Sequence, residues 1–245
     1  MINKQEVVFS PTHHARLFSF IAKEMALSFG REGEKVVKDA VKRYGFQRGH
    51  RMALRAQADG FELTPLNYIA YGEWEDTTGK LDFRFPESSR DVPMEGHQCP
   101  WFLAWQEGQE LEYAPLYCED IDTYLVKGFN ENILFEVKGI RPQGARICDF
   151  WFREGKMSPE EKKVLEERKK KLGKRAKMPW AYHMGHLYKT IKEEVETHLG
   201  KKGEEAFQRA LERFEKEYGT QALEELRKYD AVDFDILPPY EGIKG

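Results

Sequence analysis

The hydrophobic period of this chain changes partway along it, and that change limits the fold more than any other feature. Up to residue 58 apolar side chains recur at helical spacing. Ser10-Pro11-Thr12 supplies a start signal, and Leu17, Phe18, Ile21, Met25 and Phe29 follow on one face as far as Gly30. A second helix is expected from Glu32 to Tyr44, with Val36, Val37, Ala40 and Val41 inward, and a third from Arg51 to Ala58. After Gly60 the pattern becomes strand-like. Tyr68-Ile69-Ala70-Tyr71 and the alternating Leu81-Asp82-Phe83-Arg84-Phe85 are expected strands. Ile133 to Val137 and Ile147 to Phe152 form a further pair, joined by a Pro- and Gly-bearing turn from Gly139 to Gly144. Helices are expected around Trp101 to Gln106 and Leu116 to Gly128 between these pairs. Helices, then strands broken by helices, then a hairpin imply an α+β fold with an antiparallel sheet and packed helices.

The last third is organised differently. Sliding the chain by 170 residues aligns His13 with His183, Leu17 with Leu187, Ile21 with Ile191, Gly30 with Gly200, Gly33 with Gly203 and Ala40 with Ala210, without a gap. The shared element reads as helix, Gly-x-x-Gly turn, helix, so the C-terminal region is expected to repeat the opening helical hairpin. Three units are expected: 1–153 as an α+β domain, 154–177 as a basic helical connector, and 178–245 as the hairpin with an extended tail. Residues 155–177 hold ten basic and four acidic side chains, starting at the cap-like Ser158-Pro159-Glu160-Glu161. That charge suits a solvated linking helix; a polyanion-binding patch is the sharper alternative. Apolar residues within Asp233–Tyr240 suggest that the tail packs on the body.

Charge and composition narrow the function. The 39 Lys+Arg against 42 Asp+Glu give a formal net charge of -3, which disfavours a dedicated nucleic-acid binder. No stretch approaches the ~20 apolar residues of a membrane span, so no membrane partner is expected. The polar opening Met1–Glu6 lacks an apolar signal region, so a cytoplasmic location is expected. Cys99, Cys118 and Cys148 are odd in number and far apart, a poor disulfide framework. Copy-on-copy packing of the two hairpins within one chain and a homodimer with exchanged hairpins have the same sequence pattern.

Residues with chemical potential cluster between His97 and Cys148. In His97-Gln98-Cys99-Pro100-Trp101, Pro100 suits a first helical turn, placing Cys99 at the cap, where a thiol pKa can fall. In Tyr117-Cys118-Glu119-Asp120-Ile121-Asp122, a helix starting near Pro115 sets Cys118 and Asp122 one turn apart on one face, a thiol beside a proton-exchanging carboxylate. In Cys148-Asp149-Phe150-Trp151-Phe152, alternation puts Cys148 with the two phenylalanines and Asp149 with Trp151. Each cysteine is also a reasonable core residue. His97, Cys99, Cys118 and Cys148 would make a zinc set of three thiolates and an imidazole, but their spacing does not require one, and no cofactor is expected. His13-His14 and His183-x-x-His186, at helix starts, are read as capping or surface residues.

Cys99-Pro100-Trp101, Tyr117-Cys118 with Asp122, Gly128-Phe129-Asn130 and Cys148-Asp149-Phe150-Trp151-Phe152 together resemble the L-2-amino-thiazoline-4-carboxylic acid hydrolase family. The resemblance runs over residues 10–153 and is most specific from Cys99 to Phe152. It implies a hydrolase that acts on a small-molecule substrate, opening a cyclic amidine at a C–N or C–S linkage to give N-carbamoyl cysteine in the namesake reaction. The site it implies is Cys99, Cys118, Asp122 and Cys148. On that basis either a thiol or an activated water attacks the amidine carbon. Cys118 is the first choice of nucleophile and Cys99 the second, with Asp122 exchanging the proton and His97 as a second acid–base group. Arg141 or Arg146 would hold the substrate carboxylate, with Trp101 against the ring. The hairpin at Cys148-Asp149-Phe150 also looks like the sheet of 4-vinyl reductase-type sensory domains, which implies ligand binding without turnover.

Overall fold

Pro11 opens α1 (Pro11–Phe29) in the computed structural model, which describes residues 7–243. The polar segment Met1–Glu6, on which the reading of the N-terminus rests, lies outside the described residues. Ser10, the capping residue, bonds the His13 ring at 2.8 Å. Leu17, Phe18, Ile21 and Met25 are fully buried, as their helical spacing requires. The two expected helices that follow are one, α2 (Arg31–Ala58). Gly45 and Gly49 do not interrupt it, because both lie where another helix approaches too closely for a side chain.

Residues Tyr68–Tyr71 are not a strand. They belong to α3 (Pro65–Ala70) and its cap, since the Thr64 hydroxyl accepts the Asn67 backbone N–H and Pro65 presets the first turn. The chain then forms β1 (Asp82–Arg84), β2 (Val92–Gln98), α4 (Pro100–Glu107), α5 (Pro115–Cys118), α6 (Ile121–Phe129), β3 (Phe135–Gly139) and β4 (Cys148–Phe152). The four strands lie in the order β1-β2-β4-β3, each pair antiparallel, so the fold is α+β with helices packed on an antiparallel sheet. β2 pairs Met94 with Phe150 and Gly96 with Cys148. Phe150 and Phe152 face the core, with Cys148 on the same face, whereas Trp151 donates to Asp149 at 2.7 Å on the other. The expected helix from Leu116 to Gly128 is broken at Glu119–Asp120 into α5 and α6.

Ser158 caps α7 (Pro159–Leu172), its hydroxyl accepting the Glu161 N–H at 3.4 Å. Leu165 and Leu172 are buried, so the basic connector has an apolar side and packs along α3. The backbone after it docks where Met178 N–H donates to the Glu73 carbonyl and the Trp180 indole to that of Glu75. α8 (Trp180–Tyr218) then lies against α1 and α2, and α9 (Thr220–Arg227) packs on α8. Gly200 breaks α8 with φ 53° and ψ -150°; Gly30, its partner in the 170-residue shift, links α1 to α2 with φ 56° and ψ -134°. Cβ groups placed on Gly33 and Gly203 would strike Met25 and Phe29 in one case and Val195 and Leu199 in the other, again pairs 170 apart.

Of the four histidines at the helix starts, His13 is half-buried against Ser10, and the other three are not surface residues. His14, His183 and His186 are buried and hydrogen-bonded. The Trp101 indole donates to His14 Nδ1 at 3.0 Å, which leaves the His14 Nε2 proton for the Tyr44 hydroxyl at 2.9 Å. The tail is anchored: Phe234 stacks on His186 with ring centres 4.2 Å apart, and the Tyr240 hydroxyl donates to Asp59. Among the described residues no helix is long and apolar enough to cross a membrane.

Candidate active site

Four segments bring the sulfur and carboxylate groups to one cavity. Cys99 is the residue before α4, Tyr117 and Cys118 end α5, Asp122 lies in the first turn of α6, and Cys148 opens β4. Together with Arg48, Trp74, Trp101 and Phe150 they line a space of about 90 Å³. Gly96 makes room for it from β2, since a methyl there would press on the Phe83 ring and Cys148. The break between α5 and α6 means that Cys118 and Asp122 do not share one helix face, yet both reach the cavity.

α6 is held against α2 by backbone contact. A Cβ at Gly49 would meet the Leu125 carbonyl, and one at Gly128 the Phe46 carbonyl. This approach seats Asp122 near Arg48. Arg48 was not singled out in the sequence, and it belongs to a buried charge cluster centred on Glu73. Its Nε donates to Glu73 Oε1 at 3.1 Å, Arg51 donates to the same oxygen at 2.9 Å, and Arg55 donates to Oε2 at 2.9 Å. The three guanidiniums keep the fully buried Glu73 well below the usual carboxylate range despite its burial. Three cations on one anion leave positive charge beside the cavity, and Arg48 is the member that lines it.

Burial controls ionisation of the cavity groups. It pushes the Cys99 thiol up to about 12, outweighing the backbone N–H groups of Phe102 and Trp101 at the start of α4. The expected lowering at the helix cap is therefore reversed, because the desolvation of a thiolate exceeds the pull of one helix end. Cys118 is raised well above its ordinary value by burial, with Cys99 and Asp122 adding to the effect. Burial raises Cys148 too, against the Arg141 backbone N–H that donates to its Sγ at 3.5 Å. Asp122 is raised to about 6 by burial, with Arg48 pulling it back down.

Three residues expected here lie elsewhere. His97 falls on the opposite face of the sheet from Cys148, because β2 alternation places it with Glu95, which its ring meets at 2.8 Å. The His97 ring therefore does not line the cavity that the three thiols share. Among the described residues no three His, Cys, Asp or Glu groups gather in a way that could hold a metal ion. Arg141 stacks over Phe102 at 4.0 Å and donates to the His97 carbonyl, outside the cavity lining; Arg146 is exposed on the turn before β4. Trp101 lines the cavity, with its indole N–H tied to His14. Arg48, Arg51 and Arg55 follow helical spacing amid small residues, Gly49, Ala53 and Ala56, a signal that could have marked them as an inward-facing stripe.

Next to this cavity is a second chamber of about 380 Å³ that shares Arg48, Trp74, Phe83, Asp122 and Leu125 with it. No curated protein and no solved structure was found to match the chain. The model of the L-2-amino-thiazoline-4-carboxylic acid hydrolase family matches residues 12–152, the stretch that supplies the sheet, the three thiols, Asp122 and Arg48. This chain belongs to that family.

Proposed function

We propose that the protein hydrolyses a small cyclic amidine of the aminothiazoline carboxylate class, with water as the nucleophile and Asp122 as the acid–base group. The observation that carries this reading is Asp122 in the wall of a sulfur-lined cavity with its pKa raised to about 6 beside Arg48. A carboxylate tuned to that range is mostly ionised at neutral pH and still basic enough to take a proton from water. The thiols, all raised by burial, are protonated there, which favours water over Cys118 or Cys99 as the attacking group.

In the ring-opening, the water oxygen bonds to the amidine carbon while Asp122 takes one proton. The C=N electron pair moves to the ring nitrogen, which takes the hydroxyl proton as the tetrahedral intermediate collapses to the carbonyl and the C–S bond breaks, and the departing sulfur takes the proton from Asp122. The product is then an N-carbamoyl cysteine, and one water is consumed. Arg48 supplies positive charge for the substrate's anionic groups.

Purified protein incubated with 2-aminothiazoline-4-carboxylate, followed by chromatography of the product, tests this. Asp122→Asn is expected to lose about 10²–10⁴-fold in kcat, and Cys118→Ser to keep most turnover. Wild-type protein that binds the ring without opening it would leave only a ligand-binding role. An active Asp122→Asn variant would remove the acid–base assignment.

A further inference from the structure

The larger chamber is more than a bare aminothiazoline ring needs, and its walls have two characters. Its body is apolar, formed by Met52, Tyr68, Ile69, Phe85 and Met94 from α2, α3, the β1 region and β2. Its polar side carries Lys169 of α7 and Lys177 of the segment before α8, together with Arg48, Asp122 and Glu73, whose charge is met by its three arginines. Both lysines follow the family-matched stretch, which ends at residue 152. Lys177 donates to the Gly72 carbonyl, and among the described residues no carboxylate lies within ion-pairing distance of it. An ammonium has three donors, so two remain for a ligand. Lys169 leans towards the Phe85 ring, 5.5 Å from its centre. At about 380 Å³ this chamber alone falls within the range of pockets that hold small organic ligands.

A half-buried cation without a carboxylate partner, at the side of an apolar chamber, fits an anion attached to a hydrocarbon body. The chamber and the sulfur-lined cavity share Asp122, Arg48 and Trp74, so one molecule can occupy both. We propose that the substrate is an amidine ring extended by an apolar arm that ends in a carboxylate. The ring sits beside Asp122, the arm fills the larger chamber, and the carboxylate meets Lys177 with Lys169 behind it. This rests on the hydrolase reading for the ring and adds the arm. The connector thereby becomes the part of this chain that selects the substrate.

Trp74 lines both spaces and gives a fluorescence signal that does not depend on turnover. The probes are 4-phenylbutanoate and its neutral counterpart 4-phenylbutanamide, titrated into the full-length protein. The acid is expected to bind at least tenfold more tightly than the amide. Lys177→Met is expected to abolish that preference while leaving amide binding unchanged, and Lys177→Arg to restore it. Equal binding of acid and amide to the wild-type protein would overturn the proposal, and so would a preference that survives in the Lys177→Met, Lys169→Met double variant. If Lys177→Met fails to fold, the acid–amide comparison on wild-type protein decides alone. Turnover of 2-aminothiazoline-4-carboxylate that phenylbutanoate does not inhibit would overturn the arm and leave the hydrolase standing. Tight phenylbutanoate binding by a protein that opens no aminothiazoline would instead overturn the hydrolase reading.

Discussion

Asp122 is set between two opposing influences, burial raising its pKa and the Arg48 guanidinium lowering it, with burial the larger. As the base, it must be ionised, so kcat/KM is expected to rise about tenfold per pH unit below pH 6 and level off above it. Replacing Arg48 by Gln removes the lowering influence. The acid limb then moves to higher pH, and a limb that stays in place would show that Arg48 does not act on Asp122. The same change removes one charged hydrogen bond from Glu73 and is expected to cost about 2 kcal/mol in urea unfolding. The three cysteines and Asp122 could be picked from the sequence because each stands in a distinctive local string. The spacing of Arg48 with Arg51 and Arg55 marks an inward-facing stripe but not what it faces, because Arg48 comes near Asp122 only when α6 closes on α2. The thiol ionisation was unreadable for a related reason: the helix-cap argument is local, whereas the burial that reverses it comes from the whole fold.

The α2–α6 crossing is the element on which the site depends, because it joins Arg48 to Asp122. Gly45 and Gly49 on α2 and Gly128 on α6 let the two backbones meet. Gly49→Ala puts a methyl against the Leu125 carbonyl and should cost about 1–3 kcal/mol, as overpacking does. Gly30→Ala is the control: nothing lies within 4 Å of the added methyl, but φ 56° with ψ -134° suits only glycine, so a cost of about 1–3 kcal/mol arises from the backbone alone. The two differ in activity. Gly49→Ala is expected to change the pH limb of Asp122 in the protein that remains folded, and Gly30→Ala to leave it unmoved. An unchanged limb in both would detach the crossing from the site. Gly128 was legible as a motif residue, but its purpose was not, because close approach requires the partner helix. Other elements were misread for local reasons. Tyr68–Tyr71 has strand-forming residues, yet the Thr64-Pro65 start signal prevails. β2 was passed over because Pro93 and Gly96 break its alternation. The sheet tolerates Pro93 where β1, which ends opposite Glu95, no longer runs alongside, and Gly96 where Cys148 needs space.

Across the whole molecule, α8 and the tail close the core over α1 and α2 with three neutral imidazoles inside it, and this sets how the protein responds to acid. Burial lowers His14 and His186 well below the ordinary 6.5, and lowers His183 to about 3. His186 is fixed as neutral by accepting from Arg51 at Nδ1 and donating to Gln47 at Nε2, whereas His183 is kept neutral by burial and the nearby Arg48 charge, which outweigh its bond to the Glu73 carbonyl. A histidine lowered in the folded state takes up its proton on unfolding, so stability present above pH 6.5 is lost as pH falls towards the folded value. Asp122 has the opposite sign: raised to about 6, it already holds its proton in the folded protein at pH 5 while an unfolded aspartate does not. Three protons taken up by the histidines, less the one Asp122 already carries, leave about two on unfolding. At 1.36 kcal/mol per proton and pH unit, stability is expected to fall by about 3 kcal/mol per unit between pH 6 and pH 4. Glu73 adds to the loss as pH falls through the ordinary carboxylate range, because the unfolded chain takes up its proton there while the folded protein, with three arginines on Glu73, does not. Urea unfolding followed by tryptophan fluorescence at half-unit steps from pH 7 to pH 4 measures the slope. A stability that stays level down to pH 4.5 would mean that the imidazoles are not held neutral in the core, and the packing of α8 against α1 and α2 would have to be redrawn.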